Sequence, residues 1–251
     1  MNLERTNEIL SNWEEIDFRL FVKAVNKKRL KDNVANMKLT NDIYLQLSIC
    51  LNDEGASDGE LIQAAVPWKY LEYTSGGLSR SDILRIAMDN TLSMFPPVCN
   101  ELPKNPLDII GFESLEFQKF MDPGVVICNP ETYLVVSNAA SLNGSTVIFL
   151  PGVAEKLSRV FNSDLIIAFT SVHEAMVHSV NGNLSPADIR EVISLPEFTE
   201  GPDYLSDKVY IYDRDRDEIS EFIEIGEEDV LYGEKIMWDM HSSQTPICYR
   251  Q

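Results

Sequence analysis

The stretch YLVVSNAASLNGSTVIFLPGVAEKLSRVFNSDLIIAFTSVHEAMVHSV, Tyr133 to Val180, carries the densest ordered pattern in the chain. Tyr133 to Val136 is rich in residues that favour a pleated strand. Asn143-Gly144 is the dipeptide that hairpin turns favour, because both positions tolerate positive φ. Thr146 to Leu150 then reads as a second strand, ended by Pro151-Gly152. Val153, Leu157, Val160 and Phe161 recur at helical spacing. Leu165 to Phe169 is almost wholly apolar, as in a strand buried on both faces. The turn Ser171-Val172-His173-Glu174 leads into Ala175 to Val180, its expected hairpin partner. The segment at about 133–180 is therefore expected to be ββαββ-like, within an α+β fold of mostly antiparallel sheet with helices packed on it.

Outward from this run the signals are local. Ser79 stands three residues before Asp82, the capping-box spacing. Ile83, Leu84, Ala87, Met88, Leu92 and Phe95 follow at helical intervals until Pro96-Pro97, so a helix is expected over 79–95. Ser185-Pro186-Ala187-Asp188 opens another helix, with serine as cap, proline in the first turn and aspartate at the positive end. Residues 3 to 16 space Leu3, Ile9, Leu10, Trp13 and Ile16 as one short amphipathic helix. Phe18 to Val25 reads as a strand. Ile43 to Leu51 and Leu61 to Pro67 read as a pair joined by the acidic turn Asn52-Asp53-Glu54-Gly55. Val125 to Cys128 is expected to be a short strand, Glu113 to Phe120 a helical turn, and Asp207 to Tyr212 a strand. The chain is expected to form a single globular unit, 1–251, with sub-regions 18–100 and 125–225, a connecting loop at 101–124 and an irregular tail at 236–251.

Composition narrows the partners. Of 251 residues, 44% are hydrophobic, enough for a sizeable core, and the formal charge is −19 from 40 acids and 21 bases. Affinity for nucleic acid comes from neutralising phosphates with basic side chains, so nucleic acid and anionic membrane are excluded as expected partners, and a protein partner is expected. The basic cluster Lys27, Lys28, Arg29 and Lys31 reads as a solvated face. Cys50, Cys99, Cys128 and Cys248 are widely spaced with no CxxC pair, which argues against a disulfide framework. The first residues lack a basic and an apolar leader region, and no apolar run approaches the roughly 18 residues of a membrane span. The expected location is cytoplasmic.

Candidate chemistry centres on one histidine. His173-Glu174 and His178 evoke HExxH, yet the histidines are five apart. That separates them by about 140° on a helix and puts them on opposite faces of a strand, so a zinc site is not expected. General acid–base work by His173 with Glu174 survives as a candidate, with Ser171, Asn90 and Asp213 as possible members of the same site. Asp213, Asp215, Asp217 and Glu224 occupy positions one, three, five and twelve of a calcium loop. Glu218 stands where that loop needs glycine, however, and a strand precedes it, so these four are weak metal candidates. No GxSxG elbow or phosphate-binding glycine loop is present, and the pattern calls for no cofactor.

Several short pieces fall in a recognisable order: Val25-Asn26 with Leu30, Asn90-Thr91, Ser137-Asn138, Asn143-Gly144, Pro151-Gly152-Val153, Ser171-Val172-His173-Glu174, Leu205-Ser206-Asp207, Val209-Tyr210 and Tyr212-Asp213. From about Arg19 to about Ile219 they resemble an uncharacterised bacterial, clostridial family, a domain of unknown function distantly similar to the YtpQ-like family. The resemblance implies an α+β intracellular protein and carries no established activity or catalytic residue. The expected function is a non-enzymatic protein-interaction or regulatory module. The alternative is a hydrolase or transferase with a site centred on His173 and Glu174, and a weaker alternative is calcium binding at 213–224.

Overall fold

Two antiparallel sheets and the helices packed on them make up this α+β fold. The computed structural model describes residues 3–52, 61–101, 115–116, 129–223 and 235–237. The chain begins with two helices, α1 (Leu3–Ser11) and α2 (Trp13–Asp17), where the apolar spacing alone predicted one. Asn12 is the cause of the split. It is extended, at φ −123°, and its side chain accepts from the amide of Glu14, capping the second helix.

In the first sheet, β1 (Leu20–Asn26) pairs with β3 (Ile43–Cys50). The other edge of β3 is shared by β2 (Asn36–Lys38) and β4 (Gln63–Ala65). Helix α3 (Trp68–Thr74) leads to α4 (Arg80–Met94), which starts at the expected serine: Ser79 accepts from the Asp82 amide. Helix α4 lies against β1 and buries Ile83, Leu84, Ala87, Met88 and Thr91.

The second sheet holds β5 (Pro97–Glu101), β6 (Leu115–Glu116), β7 (Tyr133–Asn138), β8 (Leu165–Ser171), β9 (Glu174–Ser179), β10 (Val209–Asp213), β11 (Glu218–Glu221) and β12 (Lys235–Met237). Their spatial order is β12-β11-β10-β8-β9-β7-β5-β6. Proline opens β5, a position a strand tolerates because no ladder amide is needed there. Helix α5 (Val153–Phe161) packs on β8, and α6 (Pro186–Ile193), with a complete Ser185/Asp188 capping box, packs on β8 and β10. Helix α7 (Pro196–Thr199) comes directly after it. One apolar cluster runs through both sheets, from Val22, Leu45 and Leu47 to Leu134, Leu165 and Val177. A smaller one, Ile166, Ala168, Ile189, Ile193 and Val209, lies under α6. No helix among the described residues is long and apolar enough to cross a membrane.

The expected second strand at Thr146 to Leu150 is instead a 3-10 helix, Gly144–Phe149, buried along its whole length. Asn143 does take the left-handed conformation expected of an Asn-Gly turn, at φ 51°. The residues after it are wound rather than extended, because they fill the gap between the sheets and lie against β7, β9, α5 and β1. Tertiary packing here overrides the β preference of Thr146, Val147 and Ile148. Leu115–Glu116 is strand rather than part of a helical turn. The remainder of 113–120, the strand expected at 125–128, the turn residues 53–55 and the tail beyond 237 lie outside the described residues.

Candidate functional site

Three of the motif residues, Asn26, Asn90 and Thr91, meet along the edge of β1 that faces away from β3. An edge strand presents unpaired amides and carbonyls, and here side chains answer them. The Val22 amide donates to Thr91 Oγ1 at 2.9 Å, and the Ala24 amide to Thr146 Oγ1 at 2.8 Å. Asn90 Nδ2 donates to the carbonyls of Leu20 (2.9 Å) and Asp17 (2.5 Å). Asn26 Nδ2 closes the strand's end on the carbonyl of Leu205, at 2.7 Å. Thr91 and Asn90 come from α4 and Thr146 from the 3-10 helix, so the edge is sealed by two separate elements. A small hollow at this edge is lined by Phe21, Val22, Phe95, Asn138, Asn143 and Thr146 among others; His173 and Asn90 do not line it.

A second polar node joins the same seam. Asp42, just before β3, accepts from Thr40 Oγ1 (2.8 Å) and the Tyr210 hydroxyl (2.9 Å) on one oxygen and from Ser206 Oγ (2.6 Å) on the other. Tyr210 and Ser206 are buried. Burial, reinforced by the Asp42 charge, drives the Tyr210 phenol far above its ordinary value. The neighbouring Tyr204 phenol is raised to about 12, by burial first and then by Asp207. Nothing at the sequence level marks Asp42, whose partner Ser206 lies 164 residues away. The Leu205-Ser206-Asp207 and Val209-Tyr210 pieces point to the other half of the node.

The His-Glu turn is held by similar means. His173 Nδ1 accepts from the Asn143 amide at 3.2 Å, which requires a lone pair on that nitrogen; the proton of the neutral ring then sits on Nε2, facing Asp203 Oδ1 at 3.6 Å. The carbonyl of His173 accepts from Ser137 Oγ (2.7 Å), the carbonyl of Val172 from Ser145 Oγ (2.7 Å), and the Val172 amide donates to the Asp203 carbonyl (2.7 Å). Ser171 Oγ accepts from the His173 amide at 3.0 Å. Glu174 Oε1 takes the hydroxyl of Thr170 at 2.7 Å across the β8–β9 hairpin. Gly144 is the tightest point: a Cβ there would stand 2.1 Å from Ser137 Oγ and 2.4 Å from the His173 carbonyl oxygen.

The structure thus places His173, Ser171 and Glu174 on one turn, Asn90 on the β1 seam and Asp213 at a third place. Asp213 Oδ1 accepts from the amides of Asp215 and Arg216, both at 3.0 Å, and Asp217 accepts from the Tyr212 hydroxyl at 2.7 Å. These carboxylates shape the β10–β11 turn. Asp215 is exposed, and Glu224 lies outside the described residues. Among the described residues no group of three or more His, Cys, Asp or Glu side chains is arranged to hold a metal ion. His178, the other histidine of the motif run, is buried and stacked on Tyr133 at 4.5 Å, with Nδ1 on the Thr132 carbonyl.

In chemical terms the arrangement binds backbone. A general base needs a free lone pair aimed at a proton, and the Nδ1 lone pair of His173 is engaged by Asn143. No curated protein and no solved structure matches the chain. The model of a family of unknown function, DUF5688, matches residues 2–214, a span that takes in the β1 seam, the Asp42 node and the His-Glu turn, and the chain belongs to that family.

Proposed function

We propose that this protein is a non-enzymatic binding module that acts through a protein contact, with a regulatory role. The observation that carries the reading is the use made of its polar residues: Asn90, Ser171, His173 and Asp213 each spend their hydrogen bonds on backbone partners that hold strands and turns together. The net charge of −19 favours a partner with a basic surface. A bacterial, cytoplasmic setting and a distant likeness to the YtpQ-like family belong to the same proposal and rest on the order and spacing of the motifs.

The test is comparative capture from host lysate with the wild-type chain and with a variant in which exposed acids are reversed, Glu191→Lys, Glu197→Lys and Asp215→Lys. A protein retained by the first and lost from the second, with both chains melting alike, supports the reading. Identical retention on both overturns it. The second reading, a hydrolase or transferase centred on His173 and Glu174, draws on the half-exposed His173 ring and its approach to Asp203. It requires that His173→Ala abolish an activity while leaving the melting temperature unchanged. The binding reading expects a lower melting temperature instead.

A further inference from the structure

One bond of the His-Glu turn depends on a proton. Nδ1 of His173 accepts from the Asn143 amide at 3.2 Å, and a ring nitrogen accepts only while it keeps its lone pair. Protonation makes both ring nitrogens donors. The Nδ1 proton then meets the Asn143 N–H, donor against donor, and the bond is lost. At the other end of the ring, Nε2 stands 3.6 Å from Asp203 Oδ1, an approach that becomes an ion pair once the ring is charged. Asp203 stays on the turn in either state, because its carbonyl accepts from the Val172 amide at 2.7 Å. The ties from Ser137 Oγ to the His173 carbonyl and from Ser145 Oγ to the Val172 carbonyl involve no titrating group. Asn143 itself is held in a left-handed conformation, at φ 51°, and Ser141 in another, at φ 52°. Such conformations are disfavoured for residues with a Cβ. The charged group that faces the ring is Asp203. Glu174, next in the chain, has Oε1 on the Thr170 hydroxyl. Ser137, the loop 138–143 and the 3-10 helix bring no titratable side chain. The segment 200–207 adds Glu200, Tyr204 and Asp207, and Arg29 reaches it through the Gly201 carbonyl, at 2.8 Å.

We propose that His173 is a proton-operated latch on the loop 139–143: the neutral ring holds the Asn143 amide, and the charged ring releases it and pairs with Asp203. Histidine changes charge between about pH 5 and 8, so mild acidification works the latch. Leu142 and Asn143 both line the hollow at the edge of β1, and release of Asn143 loosens one wall of it. The release stops at Leu142, whose amide and carbonyl are both held by the Asn138 side chain, at 3.2 and 2.7 Å. The backbone of the His-Glu turn keeps its place, so the switch is local and leaves the two sheets as they are. The latch is built into the fold and is independent of the protein contact put forward above.

Amide hydrogen exchange of the full chain, resolved by residue with NMR and corrected for the intrinsic rate at each pH, tests it. The His173 ring resonances are followed over the same range, from about pH 8 to about pH 5. The protection of the Asn143 amide is expected to fall about tenfold, as for loss of one hydrogen bond, with the midpoint at which the His173 ring titrates. The amides of Val172 and Leu142, held by the Asp203 carbonyl and by Asn138 Oδ1, are expected to keep their protection. His173→Asn offers an acceptor that does not titrate, and is expected to remove the pH step at Asn143. Protection of Asn143 that stays constant while His173 titrates overturns the proposal. So does a step that persists in His173→Asn, or an equal loss at Val172 and Leu142, which marks general loosening by acid.

Discussion

The free edge of β1 and the face that carries Lys23 are treated differently. Along the edge, each donor named has an acceptor: Val22 has Thr91, Ala24 has Thr146, and Asn26 has the Leu205 carbonyl. On the face, Lys23 has one amide oxygen and a neighbouring like charge. A buried amide left without a partner costs about 1–3 kcal/mol, so the polar residues at the edge hold the fold together. On the face, the Lys23 bond to Gln63 ties β1 to β4 through side chains alone. Polar residues in an ordered motif are therefore a poor guide to chemistry in this chain.

The sharpest way to break this comparison is at Gly144, where the His-Glu turn and the 3-10 helix meet. With backbone within 2.4 Å of the added Cβ, Gly144→Ala is expected to lose about 3 kcal/mol or more, measured by urea unfolding. Gly76→Ala meets open space and only a positive φ of 71°, and is expected to lose about 1 kcal/mol. Equal losses would mean that the turn tolerates displacement and is not a fixed part of the seam. Next in size come Thr91→Val and Thr146→Val, which keep shape and delete the hydroxyl facing β1. Each is expected to cost about 1–3 kcal/mol, against about 0.5 kcal/mol or less for exposed Lys27→Ala. Small effects from both threonines would show that water serves the edge equally well.

Legibility in the sequence divides between local and distant causes. Helix α4, helix α6 and the β8–β9 hairpin were legible because their causes are local: a serine cap, a proline in the first turn, an unbroken apolar run. The 3-10 helix was not, because Thr146 to Phe149 have strand-forming side chains and wind up only when packed between two sheets. The strand after Pro96 was hidden by the prolines themselves, which read as a stop. For the site, the sequence located His173 and Asn90 but held no sign that both would be bound to backbone. Asp42 went unread, since its three hydroxyl partners include Ser206 and Tyr210, distant in the chain, and no short-range spacing encodes such a node.

The Asp42 node offers a pH-dependent test. The Tyr210 phenol is pushed far above its ordinary 10.0, and burial raises the Cys99 thiol from 9.0 to about 12. Both groups therefore hold their protons more tightly folded than unfolded. Their contribution to stability is complete below the unfolded values and is lost as pH rises above them. The urea midpoint of the wild type is expected to fall from about pH 9 upward as Cys99 titrates in the unfolded chain, and more steeply above pH 10 as Tyr210 does so too. Tyr210→Phe leaves Thr40 and Ser206 on Asp42, so about 1 kcal/mol is lost at neutral pH, and the alkaline limb should be shallower. Parallel limbs would exclude the buried phenol as the source.

The smallest effect is expected on the face of β1. Lys23→Met keeps the aliphatic stem on the sheet and removes both the partly desolvated charge and its repulsion from Lys31. The Lys23 ammonium is held below its ordinary 10.5, so the folded chain binds that proton less tightly than the unfolded one. The deficit is present in full below the folded value and is recovered as pH rises toward 10.5. At neutral pH the substitution removes that deficit together with the hydrogen bond to Gln63, and with the half-exposed charge screened by solvent the net change is expected to be small, where Thr91→Val and Thr146→Val lower stability. The size of the change decides between the two sides of β1. A buried amide left without its acceptor costs more than the loss of a half-exposed ammonium that water also serves. A fall in the urea midpoint of Lys23→Met at pH 7, comparable to that of Thr91→Val, would place Lys23 with the seam and make its bond to Gln63 a tie of the same worth.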